Sequence, residues 1–281
     1  MNQHLVKPAH LLAFQKYLRE QERSTGTIEN YLRSVRALAA WVPEGHITKE
    51  TAAAWKKSLC DRSYRPGTVN GMIAAVNQFF LFMGWRECRL KPLRVQKLLF
   101  RDDSRELTRE EYLRLLAAAR GQKKTRLALL LETIGGTGIR VSELRYITVE
   151  AVRRGKAEIR LKGKIRVILL PERLAQKLLR YAKKQKITVG AIFCTRTGKV
   201  ISRKQVWAQM KALCKAAQVA PSKVFPHNLR HLFARTFYKV SRDIAQLSDV
   251  LGHSSIETTR IYLLSTDMEH RQQLERLGLV S

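Results

Sequence analysis

Acidic residues are scarce in this chain: 23 Asp and Glu stand against 53 Lys and Arg over 281 residues, a formal net charge of +30. Cysteine is rarer still. The four cysteines, Cys60, Cys88, Cys194 and Cys214, are dispersed and form no Cys-x-x-Cys pair. That argues against a disulfide framework or a thiolate metal site and for reduced thiols in a cytoplasmic protein. Long apolar runs are missing: spanning a bilayer takes roughly 20 apolar residues, and the longest aliphatic runs resemble Leu127 to Leu131. The N-terminal MNQHLVKPAH has neither the basic start nor the apolar core of a secretory signal. Internal repeats and low-complexity tracts are absent as well.

What is present is a chain that is 45% hydrophobic, rich enough in aliphatics to fill packed cores and long enough for two domains of ordinary size. The basic excess lies in both the first hundred residues and the remainder, so no single tail carries it. A folded chain this positive repels itself, and a polyanion relieves the repulsion. Nucleic acid is the commonest such partner; an anionic membrane surface is the competitor.

The first part reads as a small helical unit. Leu11, Leu12, Phe14 and Leu18 recur at helical intervals. A second helix is expected from Thr27, with Ile28, Tyr31, Leu32, Val35 and Leu38 on one stripe, a third from Thr48, and a fourth capped by Thr68, with Ile73, Val76, Phe79 and Phe80 inside. Between Arg89 and Arg105 the pattern breaks down. This sets the domains at 1–96 and 107–281, with 97–106 as linker. Thr108 followed by Glu111 is a capping box opening the second domain. A helix around Lys124 to Ile134 is expected to stop at Gly135-Gly136-Thr137-Gly138. The period then changes: two alternating β-branched segments flank Lys162-Gly163-Lys164, the mark of a hairpin. A short strand is expected at Ala191 to Phe193, and helices resume elsewhere. The fold class is mainly α: a four-helix domain followed by a mixed α+β domain with a small sheet.

Four segments of the second domain combine cations, imidazoles and a phenol. In Thr137-Gly138-Ile139-Arg140-Val141-Ser142-Glu143-Leu144 a glycine break delivers Arg140 to a helix start, where backbone amides and a guanidinium suit a phosphate. In Pro226-His227-Asn228-Leu229-Arg230-His231, His227 and Arg230 share a helix face. Leu251-Gly252-His253-Ser254-Ser255 places His253 in a tight connection, and Thr258-Thr259-Arg260-Ile261-Tyr262 brings a tyrosine just downstream. Taken singly, these are ordinary surface or core residues. In this order and at these spacings they resemble the signature boxes of the tyrosine recombinase family, also called phage-type integrases. The N-terminal helical unit resembles that family's SAM-like core-binding domain, so the likeness covers nearly the whole chain.

The resemblance implies a site-specific DNA recombinase that cuts and rejoins strands through a covalent 3′-phosphotyrosyl intermediate, in integration, excision, inversion or dimer resolution. Tyr262 is then the nucleophile. A phenol has a pKa of about 10 and needs help to attack. Arg140 and Arg230 would clamp the non-bridging oxygens, His227 would accept the proton, and His253 would donate to a phosphate oxygen. Glu143 would orient Arg140 or a neighbouring histidine. The leaving oxygen needs a proton, which the family takes from a lysine on a β-hairpin. Resemblance favours Lys162, although Leu161 replaces the usual glycine, and Lys164 stays open. The acids of the second domain are scattered, so no metal and no cofactor is implied.

Arg33, Arg36, Lys56, Lys57, Arg62 and Arg65, with Arg153, Arg154, Lys183, Lys184, Lys186, Arg203 and Lys204, are the candidate DNA track. With the domains closed on a duplex as a clamp, ~6–10 phosphate contacts would make binding fall steeply with salt. Thr68, Asn70 and Gln205 are possible base readers. A last helix, 267–277, packs within the chain or docks on a neighbouring protomer, and a homo-tetramer on two DNA sites is the assembly the family implies. The lack of a further N-terminal arm-binding domain favours a simple Xer-like form. Two alternatives use the same residues differently: a topoisomerase of type IB, and a DNA-binding or architectural protein that keeps the fold without catalysis.

Overall fold

The computed structural model describes residues 3–42, 46–94, 103–161, 164–195, 197–253, 255–262 and 275–276. The chain divides into two compact units, Met1–Lys97 and Leu98–Ser281. Most of the expected linker, 97–106, lies outside the described residues, as does the helix expected at 267–277 apart from residues 275 and 276.

In the first unit β1 (His4–Leu5) precedes α1 (Pro8–Glu20), α2 (Thr25–Trp41), β2 (His46–Ile47), α3 (Lys49–Asp61) and α4 (Pro66–Met83). Two expected helix starts move. Thr27 does not begin α2: Ser24 caps it, its hydroxyl accepting from the Thr27 amide. Thr68 does not cap α4, because Pro66 already occupies its first position, where a fixed φ fits and the missing N–H costs nothing. Thr48 does cap α3. The apolar stripes meet in a core around Phe14, Leu32, Trp55, Ile73 and Phe79, with Phe14 and Phe79 edge to face at 5.2 Å. The antiparallel pairing of β1 with β2 left no trace in the pattern, since two residues per strand are too few to show alternation.

The second unit opens as the capping box predicts. Thr108 Oγ1 accepts from the Glu111 amide at 3.2 Å and Glu111 Oε2 from the Thr108 amide at 2.9 Å, starting α5 (Arg109–Gly121). Next, α6 (Thr125–Thr137) packs on α5 and runs through Gly135 and Gly136 rather than stopping there. Tyr112 explains Gly135: a Cβ there would lie 3.0 Å from the Tyr112 hydroxyl. The helix ends instead at Gly138, in the left-handed region with φ 65°. A 3-10 stretch, Val141–Tyr146, leads to α7 (Val149–Arg153) and to the hairpin of β3 (Lys156–Leu161) and β4 (Lys164–Leu169), paired from Lys156↔Leu169 to Leu161↔Lys164.

After α8 (Glu172–Lys184) the expected strand at 191–193 is reduced to isolated bridges, Thr148↔Ala191 and Cys194↔Val200. Ile192 and Phe193 are apolar because both are fully buried in the core. The chain then forms α9 (Arg203–Lys211), α10 (Cys214–Ala217), α11 (Pro226–Ser241), α12 (Ile244–Leu251) and α13 (Ile256–Arg260). Helix α11 lies against α6 and α12, which brings the three histidine- and arginine-bearing segments to one place. Among the described residues no helix is long and apolar enough to cross a membrane.

Candidate active site

Arg230 is the centre of the site. It projects from α11 and is 1% exposed, a costly position for a guanidinium that is offset by bonds from its two terminal nitrogens, while Nε is buried without a hydrogen-bond partner. Nη1 donates to the Gly138 carbonyl at 2.6 Å and Nη2 to that of Leu251 at 2.7 Å. Both acceptors sit at helix ends that glycines in the left-handed region, Gly138 and Gly252, bring to a close. Nη2 also lies 2.9 Å from His253 Nε2. Burial pushes the Arg230 pKa down to about 10, with Arg140 adding to the drop and the neighbouring Tyr262 opposing it.

Tyr262, just beyond α13, is itself buried at 5% exposure. Its ring stacks on His253 at 5.9 Å and meets His231 edge to face at 4.7 Å. His253 Nδ1 is bonded to Thr259 Oγ1 at 2.8 Å. His227, at the first turn of α11, keeps solvent-exposed surface while its ring packs against His231 at 4.5 Å. Both His227 and His253 have pKa values lowered to about 4, first by burial. His231, Arg230, Arg140 and Arg203 then act on His227, and Arg230, Arg140, Arg166 and His227 on His253. Both imidazoles are therefore neutral near pH 7, the form in which a histidine can take up a proton.

Arg140 stands at the start of the 3-10 stretch with its side chain 42% exposed. Its backbone N–H, which the sequence offered to a phosphate, is already donated to Glu143 Oε2 at 2.7 Å. Glu143 Oε1 receives Arg140 Nη1 at 3.1 Å, so Glu143 orients the guanidinium and not a histidine. Arg140, Arg230, His227, His253 and Tyr262 thus lie close enough to act on one another electrostatically, a cationic cluster that includes a phenol. Lys162 lies outside the described residues; Lys164 begins β4.

Arg33, Arg36, Lys57, Arg62, Arg65, Arg153, Arg154, Lys183, Lys184, Lys186, Arg203 and Lys204 are exposed, and Lys56 is half-buried with Nζ on the Lys91 carbonyl at 2.7 Å. Asn70 is not available as a base reader. Its amide donates to the Leu93 carbonyl at 3.0 Å and accepts from the Leu93 amide at 2.7 Å. Gln205 spends its side-chain oxygen on the Ser202 amide, capping α9.

Three side chains at the site escaped sequence reasoning. Arg166 binds Glu143 Oε2 through Nη2 at 2.5 Å; its signal was an arginine on the inward register of β4. His231 closes the Pro-His-Asn-Leu-Arg-His segment and touches both His227 and Tyr262. Glu106 lies 3.4 Å from His231 Nδ1 and 2.6 Å from Arg235 Nη1, a long-range pairing that no local pattern shows. Among the described residues, the His, Cys and acidic side chains close enough to share a cation are His4, Glu87 and Cys88 of the first unit. There His4 Nε2 already bonds Glu87.

Residues 105–269 match the phage integrase family, and residues 11–87 match the phage integrase N-terminal SAM-like domain. The chain is 30% identical over 277 residues to the tyrosine recombinase XerA of Thermococcus kodakarensis, covering 95% of this chain and 94% of that one. The integrase of the Tn1549 transposon, solved with transposon right-end DNA, shares the fold with a TM-score of 0.71 at 18% identity, over 96% of this chain and 99% of that one. A lambda integrase tetramer bound to a Holliday junction has a TM-score of 0.70 at 18% identity, over 90% and 76% of the two chains.

Proposed function

The chain belongs to the phage integrase family of tyrosine recombinases, and from that membership we propose that its own Tyr262, Arg140, Arg230, His227 and His253 carry out site-specific strand cleavage and rejoining. One observation carries the assignment. The Tyr262 ring stacks on His253, whose Nε2 lies 2.9 Å from Arg230 Nη2, in a cluster whose two imidazoles are held neutral.

The phenol oxygen attacks the scissile phosphorus, its proton passing to His227. A P–O bond forms to Tyr262 as the P–O5′ bond breaks. The 5′ oxygen leaves as a hydroxyl after receiving a proton, for which the hairpin lysine, Lys162, is the candidate. The phosphodiester energy is kept in the 3′-phosphotyrosyl bond, and a 5′-hydroxyl from another strand reverses the step. Charge rising on the non-bridging oxygens falls to Arg140 and Arg230, which no pH in the working range deprotonates. An incoming phosphate also supplies the negative charge that the cluster lacks and raises both histidine pKa values. His253 is thereby made a donor, and His227 a better base.

The exposed bases of both units, Arg33, Arg36, Arg62, Arg65, Arg153, Arg154, Arg203 and Lys204 among them, would supply phosphate contacts. Four copies holding two DNA sites, with residues 267–277 exchanged between protomers, form the assembly that fits strand exchange. The lambda integrase tetramer on a Holliday junction supports that reading. The level of identity to XerA along nearly the full chain favours an Xer-like recombinase.

The test is a nicked suicide substrate built on DNA that the protein selects from a random library. Wild type should give a covalent protein–DNA band that Tyr262→Phe abolishes while binding persists. A wild-type protein that binds its selected site and yields no such band would establish the binding-only alternative.

A further inference from the structure

Arg166 is assigned no step in the chemistry above, yet it ties two elements of the site together. On β4 the alternation is inverted: Ile165, Val167 and Leu169 face outward at 66%, 50% and 75% exposure, while the Arg166 side chain turns inward at 13%. Its guanidinium reaches two elements at once. Nη2 donates to Glu143 Oε2 at 2.5 Å and Nη1 to the Val250 carbonyl at 3.1 Å. The stem lies over Gly252, where a Cβ would come 2.3 Å from Arg166 Cδ. Arginine and glycine therefore fit together, and the turn that presents His253 is fixed against the hairpin.

The charge arrangement gives this contact a purpose. Glu143 is 1% exposed, and such a carboxylate must have a counter-charge. Were Arg140 its only partner, the two would cancel. The clamp would then meet a phosphate as a neutral pair, with the carboxylate holding Arg140 back. With two guanidiniums on one carboxylate the cluster keeps a net positive charge, and the more exposed guanidinium, that of Arg140, presents it. We propose that Arg166 is a positioning residue that neutralises Glu143, so that Glu143 orients Arg140 without cancelling its charge toward the scissile phosphate. This rests on the reading of Arg140 as a phosphate clamp.

The test uses the full chain and three forms of the nicked substrate: an ordinary phosphodiester, a neutral methylphosphonate at the scissile position, and a bridging-sulfur leaving group that needs no proton. Arg166→Met should cleave the phosphodiester about tenfold to a hundredfold more slowly than wild type. Adding Glu143→Gln should restore most of that loss, because the unbalanced carboxylate is gone. On the methylphosphonate, which has less charge to be neutralised, the deficit should shrink to a few-fold; on the bridging-sulfur substrate it should persist. Arg166→Lys, which retains the charge, covers the case in which Arg166→Met fails to fold, and should lose less activity than Arg166→Gln. A deficit that Glu143→Gln does not relieve and that is equal on all three substrates would overturn the proposal. So would relief by sulfur alone, which would place Arg166 in leaving-group protonation. Arg140→Ala is the reference: if it cleaves the phosphodiester at the wild-type rate, the clamp reading fails, independently of Arg166.

Discussion

Arg230 and His253 fix each other's chemical state. A guanidinium N–H can only donate, so the 2.9 Å contact between Arg230 Nη2 and His253 Nε2 makes Nε2 an acceptor, and the proton of the neutral ring sits on Nδ1, donated to Thr259 Oγ1 at 2.8 Å. In this arrangement His253 has no free N–H for a phosphate. On the proposed mechanism a scissile phosphate would either turn Arg230 away from Nε2 or protonate the ring.

The two depressed histidines make folding stability depend on pH. Their pKa values fall from 6.5 to about 4, so the unfolded chain binds more protons than the native one between those limits. The stability they contribute is complete above about pH 6.5 and is lost as the pH falls toward 4. Thermal melting across this range should show a declining Tm for wild type and a shallower decline for His253→Gln. An equal slope in both would contradict the assignment.

Arg230→Lys should slow cleavage by about 10²–10³. A single ammonium cannot span the Gly138 and Leu251 carbonyls and His253 while still facing a phosphate. Single-turnover cleavage on the nicked substrate gives the rate, and a DNA-binding titration separates it from affinity.

Gly138→Ala should destabilise the second unit. The new Cβ would fall 2.3 Å from Phe233 Cδ1 at a φ of +65°, and overpacking of this kind costs ~1–3 kcal/mol. Because the Gly138 carbonyl seats Arg230, activity should fall further than denaturant unfolding alone explains.

His231 touches Tyr262 with its ring and Glu106 with Nδ1, and two substitutions part these contacts. His231→Phe keeps the edge-to-face packing and His231→Asn keeps a donor toward Glu106. If the ring contact seats the nucleophile, cleavage by the Phe variant should stay within a few-fold of wild type, and the Asn variant should lose about tenfold, an aromatic contact being worth ~0.5–1.5 kcal/mol. The reverse ranking would assign the role to the Glu106 link.

Replacing Arg153 and Arg154 together by Ala should weaken DNA binding on every sequence alike and lower the slope of log affinity against log salt by about 1–2. On the proposed mechanism cleavage itself should proceed in EDTA, since Arg140 and Arg230 would supply the charge that meets the phosphate.

Much of this was legible in the sequence because it is local. Thr108 and Glu111 form their capping box within one turn, and His227 and Arg230 share a face by helical spacing alone. The hairpin showed in its alternation, and residues of the four boxes come together around Arg230 and His253. What was not legible depends on distance along the chain. Glu106 reaches His231 and Arg235 across more than a hundred residues, and Asn70 is drawn off to Leu93 by a segment with no periodicity. The apolar run at Ile192 and Phe193 looked like a strand because burial, not pairing, selected those residues. Gly135 looked like a helix stop, yet it is there to admit the Tyr112 ring.

The space over Gly252 has a meaning for inheritance. A side chain at that position, strained already at a φ of +62°, would displace the Arg166 guanidinium, and on the proposal above any loss of Arg166 would leave Glu143 with one cation too few. Positions 143, 166 and 252 thus form a unit that single substitutions can only damage. A descendant with a different trio has to acquire it in coordinated steps, and swapping a hairpin between related chains without the matching glycine turn would import half of a lock.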